Sequence, residues 1–262
     1  MMLFGKTVVV TGVASGIGRR TAELATQMGA EVIGIDLVKP EQVVGCFIKA
    51  DISSQAGVEK LISQLPDDID ALCNVAGVSG QSGAAITLAI NFFGLRALTQ
   101  GLVSKLRTGG SVVNVASIAG FGWKENSQRA SAIAKLTGFP DAYQVMKDFD
   151  IPNEAGYPIS KEILLVWTML ASHQECFRSR HIRVNAVSPG PVETPILTQF
   201  RQVLGDERVD SDVARVGRAG KAGDIAPAIL FLCSDAARWI NGNNLATDGG
   251  LEASLTIEQF NL

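Results

Sequence analysis

Short β-branched, apolar runs alternate with amphipathic stretches along most of the chain. Thr7 to Thr11, Glu31 to Asp36, Cys46 to Asp51, Ile69 to Val75, Ser111 to Ser117, His181 to Val187 and Asn244 to Asp248 read as strands. The run from Ile69 to Val75 is almost continuously apolar, as a strand covered on both faces requires. Helical spacing occupies Arg19 to Met28, Gln55 to Leu65, Ala84 to Leu106, Ser127 to Leu136, Asp141 to Phe149, the stretch from Tyr157 to Arg178, and Asp224 to Leu232. Pro158 suits a first helical position, because it lacks a backbone N–H and its φ is fixed. Strands that alternate with helices predict an α/β fold, a doubly wound parallel sheet of about seven strands with helices on both faces. No internal repeat or low-complexity linker interrupts the pattern, so residues 1–262 are expected to form one domain. Ile196 to Gly220 reads either as a lid with glycines at 205 and 217 or as ordinary packed helix, and Ala253 to Leu262 is a tail without an assigned place.

Composition narrows the chemistry. Charged residues make up 19% of the chain and the net charge is −3, so no basic footprint for nucleic acid or an anionic membrane is expected. Cys46, Cys73, Cys176 and Cys233 are widely spaced, and His173 and His181 belong to no ligand cluster, which disfavours a metal site and a disulfide framework. No run approaches the ~18 apolar residues of a membrane span, and the N-terminal apolar run is too short for a secretion signal. The expectation is a cytoplasmic protein that acts on a small molecule.

The first strand ends in Gly12-Val13-Ala14-Ser15-Gly16-Ile17-Gly18 and a helix follows. Such a loop lets a pyrophosphate approach the backbone at a helix N-terminus, although a glycine loop alone can be a tight turn. Asp36 closes the second strand 18 residues after Gly18 (36 − 18), where a dinucleotide fold holds ribose hydroxyls. A carboxylate about 4 Å from a 2′-phosphate is repelled by roughly 4 kcal/mol at an effective dielectric of about 20, which favours NAD over NADP. Arg19, Arg20 and Lys39 are the basic side chains that could offset this by reaching a phosphate, or they are simply solvated.

Asp51 and Ile52 fall at the carboxyl end of the third strand, where Asp51 serves either a ligand or the following helix as a cap. Asn91 lies inside an apolar helix, as a buried hydrogen-bonding residue or as an interruption that holds a water. Ser117 ends the fifth strand and by itself reads as a cap or turn residue. Tyr157 and Lys161 are four residues apart, on one helical face. A nearby ammonium, helped by a bound cationic ring, favours the phenolate and would bring a phenol that normally titrates near ~10 toward use as a general acid or base. Taken singly, such a pair is more often an ordinary amphipathic edge.

The ordered set Thr11-Gly12-x-x-x-Gly16-Ile17-Gly18, Asp36, Asn74-x-Ala76-Gly77, Asn91, Ser117, Tyr157-x-x-x-Lys161 and Pro189-Gly190 resembles the short-chain dehydrogenase/reductase family over essentially the whole chain. The resemblance implies a single Rossmann-fold domain, NAD(P)-dependent hydride transfer, a homo-oligomer, and a catalytic group of Asn91, Ser117, Tyr157 and Lys161. It further implies cofactor contacts from Gly12, Ser15, Gly16, Ile17, Gly18, Asp36, Leu37, Asp51, Ile52, Asn74, Ala76, Gly77, Tyr157, Lys161, Pro189, Gly190, Val192 and Thr194. Two departures stand out. Ser117 and Tyr157 are 40 residues apart (157 − 117), wider than the family's usual spacing, which places a helical insertion at about 118–156; Asn74 and Asn91 are only 17 apart (91 − 74). Both features resemble the branch of coniferyl-alcohol dehydrogenases and bacterial 3α-hydroxysteroid dehydrogenase/carbonyl reductases. The substrate implied is a small hydrophobic alcohol or carbonyl, aryl-allylic or steroid; a non-catalytic dinucleotide sensor is the rival from another class. The insertion's aromatics, Phe121, Trp123, Phe139, Tyr143 and Phe149, either seal its own core or overhang the site to select a flat substrate.

Overall fold

A computed structural model describes residues 3–262, excepting the side chains of Val203 and Leu204. Seven strands form one parallel sheet: β1 (Thr7–Thr11), β2 (Glu31–Asp36), β3 (Cys46–Lys49), β4 (Ile69–Asn74), β5 (Leu106–Val115), β6 (Arg183–Pro189) and β9 (Asn244–Thr247), in the order β3-β2-β1-β4-β5-β6-β9. A two-stranded pair, β7 (Val192–Glu193) and β8 (Gly220–Lys221), lies beside it. Strand order reverses between β1 and β4, and the crevice at such a reversal is where open α/β sheets receive ligands.

Alternation along β1 shows why both faces need helices. Val9 enters one apolar cluster with Leu61, Leu72, Phe92 and Trp167, whereas Val8 and Val10 enter another with Ala22, Ala25, Ile229 and Leu230. The first cluster is covered by α2 (Gln55–Gln64), α4 (Leu95–Gly101) and α7 (Gly156–His173), and the second by α1 (Gly16–Gln27) and α11 (Ala222–Cys233). No described helix is long and apolar enough to cross a membrane.

Helix boundaries differ from the sequence expectation where tertiary pairing overrides periodicity. The stretch from Ala84 divides into α3 (Ala84–Leu88), a π-helical turn over Ala89–Gly94 and α4; Leu106 then opens β5, where it pairs with Ile69. Leucines at 102 and 106 are buried on either side of this change, so their spacing alone hid it. The first turn of α1 begins at Gly16, inside the glycine loop, three residues before Arg19. Helix α7 starts at Gly156, which makes Pro158 its third residue, and it stops at His173; Gln174 is extended (ψ 139°) before the short α8 (Glu175–Arg178). The sixth strand starts at Arg183, because His181 sits at φ +54°.

The insertion is helical, with a 3-10 turn at Ile118–Trp123, then α5 (Ser127–Ala134) and α6 (Ala142–Asp148). Arg96 fastens it. Its guanidinium is 1% exposed, lies over Phe92 and Phe93, and donates to the carbonyls of Ala134, Leu136 and Gly138 where α5 ends. Ala134 O is among the carbonyls that a helix end leaves without partners, Leu136 O and Gly138 O lie in the turn beyond it, and a cation suits the negative end of the helix dipole. Residues 195–216 form α9 (Pro195–Leu204) and α10 (Asp206–Val216), broken at Gly205 (φ +85°), and the C-terminal tail is α12 (Leu251–Phe260).

Candidate active site

A cleft of about 550 Å³ runs along the carboxyl ends of the strands. At one end lies the glycine loop. Gly12 has φ +80°, and a Cβ there would stand 2.9 Å from the Ala76 backbone; a Cβ on Gly18 would fall 2.1 Å from Gly12 O. The loop can therefore be built only without side chains at these points. Ser15 precedes α1 in an extended conformation and makes no side-chain cap, which leaves the first-turn N–H groups directed at the cleft for an anionic ligand. Thr11 Oγ1 accepts from Val75 N and Ala76 N at 3.0 Å each, tying the end of β4 to the end of β1.

Asp36 lies in the same end of the cleft. Its carboxylate accepts from Ala14 N (2.8 Å) and Val38 N (3.0 Å), so its position is fixed by backbone on two sides. Arg19 and Arg20 both pair with Glu23, at 3.0 and 3.2 Å. Asp51 lines the cleft and accepts from Ser53 N (2.8 Å), while Ser54, which accepts from Gly57 N, is the cap of α2.

The opposite end gathers Ser117, Tyr157 and Lys161. Gly156 permits this, because a Cβ there would lie 2.4 Å from Ala84 Cα; glycine lets the start of α7 rest on α3 and carries Tyr157 into the cleft. One turn on, Lys161 is 5% exposed, donates to Val115 O at 2.8 Å, and stands 5.6 Å from the centre of the Tyr157 ring. Ser117 Oγ accepts from Ala119 N at 3.1 Å, as a turn cap does, and keeps its own proton to donate.

Burial dominates the electrostatics. It pushes the Tyr157 phenol up to about 12, opposed by the Ser117 hydroxyl, and brings Lys161 down to about 8. This reverses the direction expected for the phenol from its lysine neighbour: the ammonium is turned onto Val115 O, and loss of water outweighs it. In the cofactor-free protein Tyr157 is thus an acid at neutral pH, suited to protonating a substrate oxygen.

Of the residues expected here, Gly12, Ser15, Gly16, Ile17, Gly18, Asp36, Leu37, Asp51, Ile52, Ala76, Gly77, Ser117, Tyr157, Lys161, Pro189, Gly190, Val192 and Thr194 all line the cleft. Asn74 does not. Its side chain is 1% exposed and donates to Thr99 Oγ1 and Asn114 Oδ1, both at 2.9 Å, inside the core. Asn91 is also fully buried beneath the cleft: it accepts from Val78 N (2.8 Å) and donates to Val78 O (3.0 Å) and Ser160 Oγ (3.3 Å). Its amide thereby holds the loop after β4 from inside the π-turn.

Of the insertion's aromatics, Trp123, Phe139 and Phe149 lie against the main core, Phe121 and Trp123 border a small pocket that Ser117 also lines, and Tyr143 is 65% exposed. The aromatic that does meet Tyr157 is Phe200 on α9, with ring centres 4.6 Å apart and planes at 62°. Phe200, Gln199, Ile196, Leu197, Val78 and Ile90 line the cleft without having been singled out in the sequence. The helical spacing of 196–204 marked a face but not the element it covers.

Comparison with known proteins agrees with this geometry. Residues 6–139 match the family described as short chain dehydrogenase, and residues 144–252 match the description Enoyl-(Acyl carrier protein) reductase. Coniferyl-alcohol dehydrogenase of Pseudomonas sp. strain HR199 is 41% identical over 254 residues, covering 97% of this chain and 99% of that one. The chain belongs to the short-chain dehydrogenase family. Within that family, an NAD-dependent glycerol dehydrogenase of Listeria innocua is 29% identical over 94% of this chain and 93% of its own. The crystal structure of 3-alpha-hydroxysteroid dehydrogenase from Pseudomonas sp. B-0831, complexed with NADH, superposes with a TM-score of 0.82 at 29% identity, covering 95% of this chain and 98% of that one. The short-chain dehydrogenase fold therefore accounts for the sheet order, and the nicotinamide dinucleotide of this family suits a cleft that has free helix N–H groups and the Asp36 carboxylate together at one end.

Proposed function

We propose that the protein is an NAD-dependent dehydrogenase that interconverts a neutral hydrophobic alcohol and its aldehyde or ketone, with an aryl-allylic alcohol of the coniferyl type as substrate. The observation that carries this reading is the convergence of Ser117, Tyr157 and Lys161 at one end of a cleft whose other end is built for a dinucleotide. The cofactor supplies hydride acceptance and donation when bound. Tyr157 exchanges the proton at the substrate oxygen, and the Ser117 hydroxyl donates to that oxygen and steadies charge developing on it. Lys161 places a positive charge below the phenol, and Asn91 fixes the Val78 segment beside both. Ionisable groups lining the cleft are Asp36, Asp51, Tyr157 and Lys161 among the described residues, so the walls from Val78, Ile90, Ile196, Leu197 and Phe200 favour an uncharged substrate.

NAD is supported by the anchored Asp36 carboxylate and by the pairing of Arg19 and Arg20 with Glu23, which occupies the guanidinium groups nearest the loop in sequence. The aryl-allylic substrate is supported by the 41% identical coniferyl-alcohol dehydrogenase. A 3α-hydroxysteroid is the second reading, favoured by the TM-score of 0.82. Tyr157→Phe should abolish turnover while leaving NADH binding nearly intact; substantial residual activity refutes the role given to the phenol. Specificity constants for coniferyl alcohol and androsterone, each with NAD and NADP, decide between the substrates.

A further inference from the structure

The loop after β4 and the helix α9 meet through side chains that no catalytic role explains. Ser79, 2% exposed, donates from Oγ to Gln199 Oε1 at 2.7 Å, and Gln81 Nε2 donates to Gln202 Oε1. This loop runs directly against the reacting phenol: a Cβ on Gly80 would stand 3.4 Å from Tyr157 Cβ. Its far end is braced by the insertion, because Asn153 Oδ1 accepts from Ala84 N at 2.9 Å. Phe200 follows Gln199 directly and sets its ring edge-to-face on Tyr157.

We propose that Phe200 is a specificity-determining residue of the alcohol site, and that the Ser79–Gln199 hydrogen bond positions it. Its ring and the Tyr157 phenol form an aromatic corner. An arene conjugated to the double bond beside the reacting carbon is flat and carries the quadrupole that packs well in such a corner; a saturated ring of equal carbon count has neither property. The insertion then acts at one remove, through Asn153, by bracing the loop that meets α9 rather than by covering substrate. The proposal rests on the reading above that the cleft takes a neutral alcohol.

The test compares cinnamyl alcohol with 3-cyclohexylpropan-1-ol, so that intrinsic reactivity cancels when each variant's ratio of kcat/KM is set against the wild type's. Phe200→Leu should lower that ratio roughly tenfold, through KM rather than kcat. Gln199→Leu should act in the same direction, and Gln199→Glu, which keeps an acceptor for the Ser79 hydroxyl, should restore the ratio. An unchanged ratio in both leucine variants overturns the proposal. Binding is read separately by the quenching of NADH fluorescence with cinnamaldehyde and 3-cyclohexylpropanal in the Tyr157→Phe background, where chemistry does not intervene. If adding Phe200→Leu leaves the relative affinity unchanged there, the proposal also fails. A wild type that turns over no alcohol at all sinks the alcohol reading, whereas the binding ratio still decides the role of Phe200.

Discussion

Replacing Lys161 by methionine should make the protein more stable while removing its activity. The ammonium is 5% exposed and has one hydrogen bond, to Val115 O at 2.8 Å. Burial lowers it from 10.5 to about 8, which corresponds to a cost of ~3 kcal/mol for keeping the charge in the folded protein at pH 7. Methionine is similar in length and apolar. It forfeits one hydrogen bond at ~1 kcal/mol, so the net gain is ~2 kcal/mol. The sign fixes the pH window. Below about 8 both folded and unfolded chains hold the proton and the cost is full; between about 8 and 10.5 the folded chain releases it first, and wild-type stability recovers as pH rises. Urea denaturation of the cofactor-free proteins at pH 7 and pH 9.5 should therefore show the variant ahead at the lower pH and the gap narrowing at the higher. A variant less stable than wild type at pH 7, or a difference that does not change with pH, would refute the assignment of a desolvated charge at this position.

Further outcomes follow from the same geometry. Asp36→Ala should shift the ratio of kcat/KM for NADP over NAD upward by about 100-fold, since it removes a repulsion of a few kcal/mol; an unchanged ratio would show that the acid does not face the ribose. Arg96→Met should cost ~3 kcal/mol in urea denaturation by leaving three carbonyls of the insertion without their donor. Arg96→Lys should rescue little, because one ammonium cannot span them. Gly156→Ala should cost ~1–3 kcal/mol, as the start of α7 is forced away from Ala84, and should lower kcat more than NADH affinity; equal losses in both would argue against a local displacement of Tyr157.

What the sequence disclosed was set by how local each signal is. Strand ends carrying Gly12, Asp36, Gly77 and Ser117 were legible because a glycine loop, an acid and a small-residue turn each sit next to a run of β-branched residues. The direction of the Asn74 side chain was not legible, since a strand covered on both faces gives no indication of which side an end residue faces, and its amide turned to Thr99 and Asn114. The aromatics of the insertion were conspicuous in composition, yet the ring that meets Tyr157 is Phe200, whose contact joins residues 43 apart (200 − 157). The direction of the phenol's shift in the cofactor-free protein was hidden for a similar reason. A lysine one turn away is visible in sequence, but the desolvation that outweighs it comes from the whole cleft.

The π-turn at Ala89–Gly94 has a consequence for how this chain tolerates changes in length. A π-turn accommodates one extra residue within its turn, so a single deletion there would restore regular winding while leaving the helix on either side close to its original register. Arg96, in the regular helix beyond the turn, would keep its approach to the carbonyls of Ala134, Leu136 and Gly138, whereas Asn91, inside the turn, would lose its hold on Val78. A one-residue deletion within 89–94 should accordingly be survivable more often than one within α4, where nothing absorbs the lost residue and the chain beyond it turns by ~100°, a contrast that a deletion scan across both segments would expose.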